Sequence, residues 1–202
     1  MQKVEWKGGA LIAPLPPVLV TCGTMEKPNV LTIAWTGILS TTPPKTYISL
    51  RPSRFSHDII KSTGEFVINL STVPLTRTVD FCGVRSGREF DKFALMGLIP
   101  EKASRVACPM ISQSPVSLEC RVTDIVPLGS HDMFIADIIA VNVDEQYIDK
   151  EGKLHLERCS LLAFSHGEYF ELGKKVGSLG FSVRKKSKKR YDTNVLPDIK
   201  GE

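Results

Sequence analysis

Two stretches of this chain carry chemically capable side chains at close spacing. Arg51-Pro52-Ser53-Arg54-Phe55-Ser56-His57 places two guanidinium groups and two hydroxyls just ahead of a short amphipathic pattern with Ile59 and Ile60. A helix start leaves N–H groups without intrahelical partners, and its dipole favours negative charge. Guanidinium forks and hydroxyls beside such a start are suited to holding a phosphate. About twenty residues earlier, Asn29-Val30-Leu31-Thr32-Ile33-Ala34-Trp35-Thr36-Gly37 reads as a strand ending in small and hydroxyl residues. The pair suggests a nucleotide-like cofactor between a strand and a helix start. The local residues fit equally an ordinary capped helix flanked by solvated arginines. No Gly-x-Gly-x-x-Gly and no Gly-x-x-x-x-Gly-Lys-Ser/Thr occurs, so Rossmann and P-loop readings lose their usual support.

The elements that must position these residues are mostly strands. Val18 to Cys22 is β-rich, Glu26 to Asn29 is a turn, and Val30 to Trp35 returns, which predicts a hairpin. Thr42-Pro43-Pro44 breaks the chain before a strand over 46–50. Ser56 is placed to cap a helix that Gly64 ends. Residues 65–70 form a strand, and Pro74 to Phe81 reads as a helix with Gly83 beyond its end. In Val116 to Thr123 apolar and polar residues alternate throughout, and Met133 to Val143 is a long strand after the Pro127–Ser130 turn. Gln146 to His155 is a charged excursion. Many strands with few short helices predict an antiparallel barrel.

The bulk properties bound the classes. The chain has 202 residues, 42% hydrophobic and 24% charged, enough for a real core. Its net charge of +4 is uneven, because Arg184, Lys185, Lys186, Lys188, Lys189 and Arg190 contribute six positive charges in one run. Without those six the +4 becomes −2, so the basic character belongs to a tail. Residues 1–176 are expected to form one domain and 177–202 a flexible basic tail. That tail has one aromatic neighbour, Tyr191, and reads as a solvated terminus rather than a nucleic-acid or membrane contact. Five widely spaced cysteines with no Cys-x-x-Cys argue for buried free thiols, no zinc site and a cytoplasmic setting. Prolines interrupt the N-terminal apolar run, and no run is long enough to span a bilayer.

The order of motifs resembles a known family. Asn-x-x-Thr-x-Ala-Trp precedes a Pro-Pro break, then come Arg-x-Ser-Arg-x-Ser-x-x-x-Ile, Phe-Val-Ile-Asn, Asp-Lys-Phe, an alternating strand ending near Cys120, and Gly-x-His before a long strand. This order, closed by Gly167 to Gly173, is similar to that of the flavin reductase-like family. These are FMN-binding split barrels that include flavoredoxin and the archaeal-type ferric reductases. The resemblance covers roughly Ala10 to Gly173. It implies a mainly β fold, a six-stranded antiparallel Greek-key split barrel with a few short helices, a homodimer, and one FMN per subunit. Where many members have Gly-Asp-His, this chain has Gly129-Ser130-His131 with Asp132 following.

The resemblance also assigns roles. Arg51, Ser53, Arg54 and Ser56 are expected at the FMN phosphate. Thr32, Ala34, Trp35, Thr36 and Thr41 are expected along the isoalloxazine and ribityl chain, where reduction builds negative charge that N–H donors stabilise. Each of these also fits a core strand with a buried tryptophan. Lys92 and Phe93 fit a cation beside the flavin or a solvated lysine beside a core ring. His131 is expected near the flavin face where a donor stacks, and it equally fits a polar strand edge; His57, His155 and His166 show no metal-ligand spacing. The implied activity is an FMN-dependent oxidoreductase of flavin reductase type. Electrons would come from NAD(P)H or a redox-protein donor and leave to a flavin, ferric iron or another acceptor. The alternative is a non-catalytic FMN electron carrier in the flavoredoxin manner. No nucleic-acid or membrane partner is expected.

Overall fold

The computed structural model describes residues 1–184. Five strands and one helix open the chain: β1 (Val18–Gly23), β2 (Pro28–Ile33), β3 (Thr36–Thr41), β4 (Pro44–Leu50), α1 (Phe55–Thr63) and β5 (Glu65–Leu70). Next come α2 (Thr76–Val84), α3 (Lys92–Met96), and two short strands, β6 (Pro100–Glu101) and β7 (Met110–Ile111). Two long strands, β8 (Val116–Pro127) and β9 (Asp132–Val143), precede a last hairpin of β10 (Leu162–Ser165) and β11 (Glu168–Glu171). The main sheet has the order β2-β1-β5-β8-β9-β4-β3, with every pair antiparallel.

Chain connectivity closes this sheet. β2 and β3 stand at opposite ends of the order, yet only Ala34 and Trp35 separate them in sequence. So short a link reaches about 10 Å, so the sheet must curl until its ends meet. The Ser49 N–H, on β4, donates to the Trp35 carbonyl at 2.9 Å and ties the two ends together. Register shifts in the β8–β9 pair, at Glu119/Cys120 and Val122/Asp124, provide the bulges that such coiling needs.

The main sheet has seven strands where the family resemblance implies six, and packing explains the difference. The inner core takes side chains from β1, β2, β4, β5, β8 and β9, including Val20, Leu31, Ile48, Phe66, Cys120 and Phe134, and none from β3. Six strands therefore enclose the barrel, and β3 is an added edge whose Ile38 and Leu39 are exposed. α1 crosses from β4 to β5 and puts Ile60 into the same core. Because strand side chains alternate, Leu19 and Val30 point outward. There α2 and α3 cover them with Val79, Cys82 and Phe93.

Three boundaries differ from expectation. The second strand ends at Ile33 rather than Trp35. Ser56 is the second residue of α1 rather than its cap; the N-cap is Arg54, whose side chain has no acceptor to offer, and the Ser56 hydroxyl accepts from Asn29. Gly83 lies within α2, not beyond it. Gly64 does end α1, in the left-handed conformation that glycine favours. The fully buried Asn69 and Glu119 are well partnered. Asn69 bonds Leu19, Ile111 and Ser117, and Glu119 accepts from Ser104, Arg105, Val106 and Asn142. The first compact unit runs from Met1 to Leu172, and a second begins at Gly173. In the second, Phe181–Val183 forms one 3-10 turn, and Arg184 donates to the Leu179 carbonyl. The rest of the basic run lies outside the described residues. No helix among the described residues is long and apolar enough to cross a membrane.

Candidate functional site

The seam where β2 meets β4 opens into a cleft of about 450 Å³. Its β2 side consists of Leu31, Thr32, Ile33, Ala34 and Trp35, and its β4 side of Ser49, Leu50 and Arg51. Inner-core packing holds Leu31, Ile33 and Leu50. The Thr32 hydroxyl donates to the Val79 carbonyl at 2.5 Å, which anchors α2 against this strand. Two aromatic pairs border the opening. Trp35 stacks on His131, with ring centroids 6.2 Å apart and planes inclined by 20°. Phe164 meets Tyr169 at 5.4 Å. Ser130 Oγ lies 2.9 Å from His131 Nδ1 and fixes that ring. A slot with apolar walls and aromatic borders suits a flat, largely apolar ring system, and its volume falls in the range of small-molecule sites.

A second cavity of about 210 Å³ adjoins the first, with Leu31, Arg51 and Arg54 lining both. Around it stand Ser53, Ser56, Arg85, Ser86 and Lys92. Lys92 is only 4% exposed. Its Nζ donates to the carbonyls of Cys82 and Arg85 at 3.4 and 3.3 Å, so it closes the carboxyl end of α2. Burial is the main cause holding its pKa below the ordinary lysine value, and the nearby Arg54 charge adds to it. None of the ion pairs formed by carboxylates among the described residues includes Arg51, Arg54, Arg85 or Lys92. A buried cation without a counter-ion is costly, and an anion bound in this cavity would offset that cost. The Cys82 thiol in the wall is pushed up to about 11 by burial and remains neutral. The Asn29 Nδ2 donates to Ser56 Oγ at 2.7 Å, which leaves the serine hydroxyl its own proton to donate. Gly87 closes the wall, because a Cβ there would lie 2.1 Å from Asn29 Oδ1.

The sequence-predicted residues divide clearly. Thr32, Ala34, Trp35, Arg51, Arg54 and His131 line the cleft, and Ser53, Ser56 and Lys92 line the adjoining anion pocket. Three residues fall outside both cavities. Thr36 is buried and donates its hydroxyl to the Tyr47 carbonyl, Thr41 is exposed at the far end of β3, and Phe93 packs beneath α2. The structure adds Asp80, Gly83, Phe164 and Tyr169 to the cleft, and Arg85 and Ser86 to the anion pocket. For Arg85 and Ser86 the Arg/Gly-rich segment after Gly83 was the available signal. Tyr169 lies in the closing Gly167 to Gly173 motif, which gave it no site role, and nothing local marked Asp80. No cluster among the described residues could hold a metal ion.

Comparison with known proteins gives a consistent picture. Residues 12–173 match the family model described as "Flavin reductase like domain". An uncharacterized protein of Archaeoglobus fulgidus is 32% identical over 157 residues, covering 78% of this chain and 87% of that protein. Flavoredoxin of Desulfovibrio vulgaris (Miyazaki F) shares the fold with a TM-score of 0.84 and 27% identity, covering 91% of this chain and 100% of that one. Flavoredoxin from Methanosarcina acetivorans gives a TM-score of 0.82 and 25% identity over the same shares.

Proposed function

Since the chain belongs to the flavin reductase-like family, we propose that its cleft and anion pocket together hold one FMN and that it is an oxidoreductase of flavin reductase type. The observation that carries this reading is continuity. An aromatic-bordered slot runs into a pocket of uncompensated cations through the shared residues Leu31, Arg51 and Arg54. A ligand with a flat apolar ring at one end and a phosphate at the other matches both. Arg51, Arg54, Arg85 and Lys92 neutralise the phosphate, and Ser53, Ser56 and Ser86 donate to it. Ile33, Ala34 and Trp35 bound the ring, and the small side chain of Ala34 permits close backbone approach. A bound flavin supplies hydride and single-electron chemistry. The protein positions it, excludes water from one side and leaves the His131 side open to a second reactant. Electrons arrive from NAD(P)H or a protein donor and leave to a flavin or ferric acceptor.

A second reading, an FMN electron carrier without its own small-molecule donor, is favoured by the likeness to two flavoredoxins. The exposed Trp35, Ile38, Leu39 and Val84 support a homodimer. The five free, buried thiols support a reducing compartment such as the cytoplasm. Anaerobic addition of NADH or NADPH to the flavin-loaded protein separates the two activities. Rapid bleaching by either nicotinamide, one hydride per flavin, supports the reductase. A flavin that bleaches only with a reduced redox protein supports the carrier, and a flavin that neither bleaches overturns both.

A further inference from the structure

Three residues lining the cleft carry formal charge: Arg51, Arg54 and Asp80. The two arginines also line the anion pocket, and Asp80 does not. α2 explains this separation. Its Cys82, followed by Arg85 and Ser86 just past its end, borders the anion pocket, whereas Asp80, Gly83 and Val84 border the cleft. One helical turn advances about 5 Å, so Asp80 is set back along the helix from the phosphate end. Asp80 is exposed, and its Oδ1 accepts from the Tyr169 hydroxyl at 3.4 Å. Tyr169 belongs to β11 and is braced by Phe164. Burial, then the Asp80 charge, raises the tyrosine's pKa, so the phenol stays protonated as a donor.

We infer that Asp80 selects the second reactant by charge, favouring neutral or cationic electron acceptors at the ring end of the cleft and disfavouring anionic ones. The inference rests on the cleft being a flavin site. Arg51, Arg54, Arg85 and Lys92 all face the phosphate end, which leaves the Asp80 carboxylate as the formal charge that lines the cleft outside the anion pocket. The apolar side chains of Ile33, Val84 and Phe164 line the same cleft, and low-dielectric walls focus a charge's field.

The test uses flavin-loaded protein, reduced anaerobically and mixed with hexacyanoferrate(III) or hexaammineruthenium(III). Two oxidant ions each take one electron, becoming the Fe(II) or Ru(II) complex, and the buffer takes the released protons. Flavin content is measured first by absorbance. Over about 8 Å of water, a unit charge changes the encounter of a trivalent ion by about fivefold to tenfold at low salt. Asp80→Asn should therefore speed hexacyanoferrate(III) and slow hexaammineruthenium(III) by that factor at about 10 mM salt. At about 1 M, where the Debye length is about 3 Å, both effects should fall below about twofold. Asp80→Ser should behave alike, and Asp80→Glu should keep the wild-type ratio. An unchanged ratio in the neutral variants, a shift that salt does not remove, or the same shift in Asp80→Glu overturns the inference. Wild-type protein that takes up no flavin overturns the cofactor reading itself, and this inference with it.

Discussion

Lys92→Met separates the proposed phosphate end of the site from the proposed ring end. Methionine keeps much of the volume of the apolar stem and removes the ammonium that stands in the anion pocket. A hydrogen bond between charged groups contributes about 1.5–3 kcal/mol. At about 1.4 kcal/mol per factor of ten, the variant should bind FMN about 10- to 150-fold more weakly. Riboflavin has the same ring and ribityl chain without the phosphate, so its affinity should change less than about threefold. Titration of flavin-free protein into each ligand, followed by quenching of flavin fluorescence, measures both. Circular dichroism checks that α2 survives the loss of its two lysine–carbonyl contacts. An equal loss for FMN and riboflavin, or no loss for FMN, would refute the placement of the phosphate beside Lys92.

Trp35→Ala should behave differently, weakening FMN and riboflavin alike by about tenfold, because it removes one border of the ring slot. Gly87→Ala forces a Cβ to within 2.1 Å of Asn29 Oδ1 and 2.9 Å of Phe55. A cost of about 1–3 kcal/mol in denaturant unfolding is expected, with weaker FMN binding. Glu119 is fully buried; burial raises its pKa, but hydrogen bonds from Ser104, Asn142 and Arg105 outweigh that and hold it below the ordinary carboxylate value. Its stabilisation is therefore complete above the unfolded pKa of about 4.3 and is lost as pH falls through the folded value. Glu119→Gln should lower the melting temperature by about 5–10 °C at neutral pH, and the difference should shrink in acid. His155 has the opposite sign. Glu157 and Asp149 raise its pKa, so its contribution is present below about 6.5 and lost as pH rises through the folded value. NMR titration should place it above an ordinary histidine, and Asp149→Asn should lower it.

β8 was legible because its apolar residues alternate, with Leu118, Cys120 and Val122 at the inner core; β1 and β5 are buried on both faces and were legible as β-rich runs bounded by turn signals. β3 was hidden for the converse reason: Ile38 and Leu39 are both exposed, so it shows no alternating burial. The break at Ala34-Trp35 carries no glycine or proline, and only the closure of the sheet reveals it. Gly83 looked like a terminator, yet it lies inside α2 facing β2, where a Cβ would make ordinary contact with Thr32 at 3.5 Å. Arg51, Ser53, Arg54 and Ser56 were readable as one group because they lie within six residues, and they line one cavity. Asp80 and Tyr169 were not, because they meet only when the last hairpin returns to α2. Thr36 and Thr41 resembled donors by type, and the β3–β4 hairpin directs them elsewhere.

The central claim is that this cleft and its anion pocket hold FMN. The visible absorption spectrum of the purified protein, followed by that of the supernatant after heat denaturation, tests it most directly. A yellow protein that releases about one FMN per chain is the predicted result. A colourless protein that also fails to bind added FMN would contradict the account.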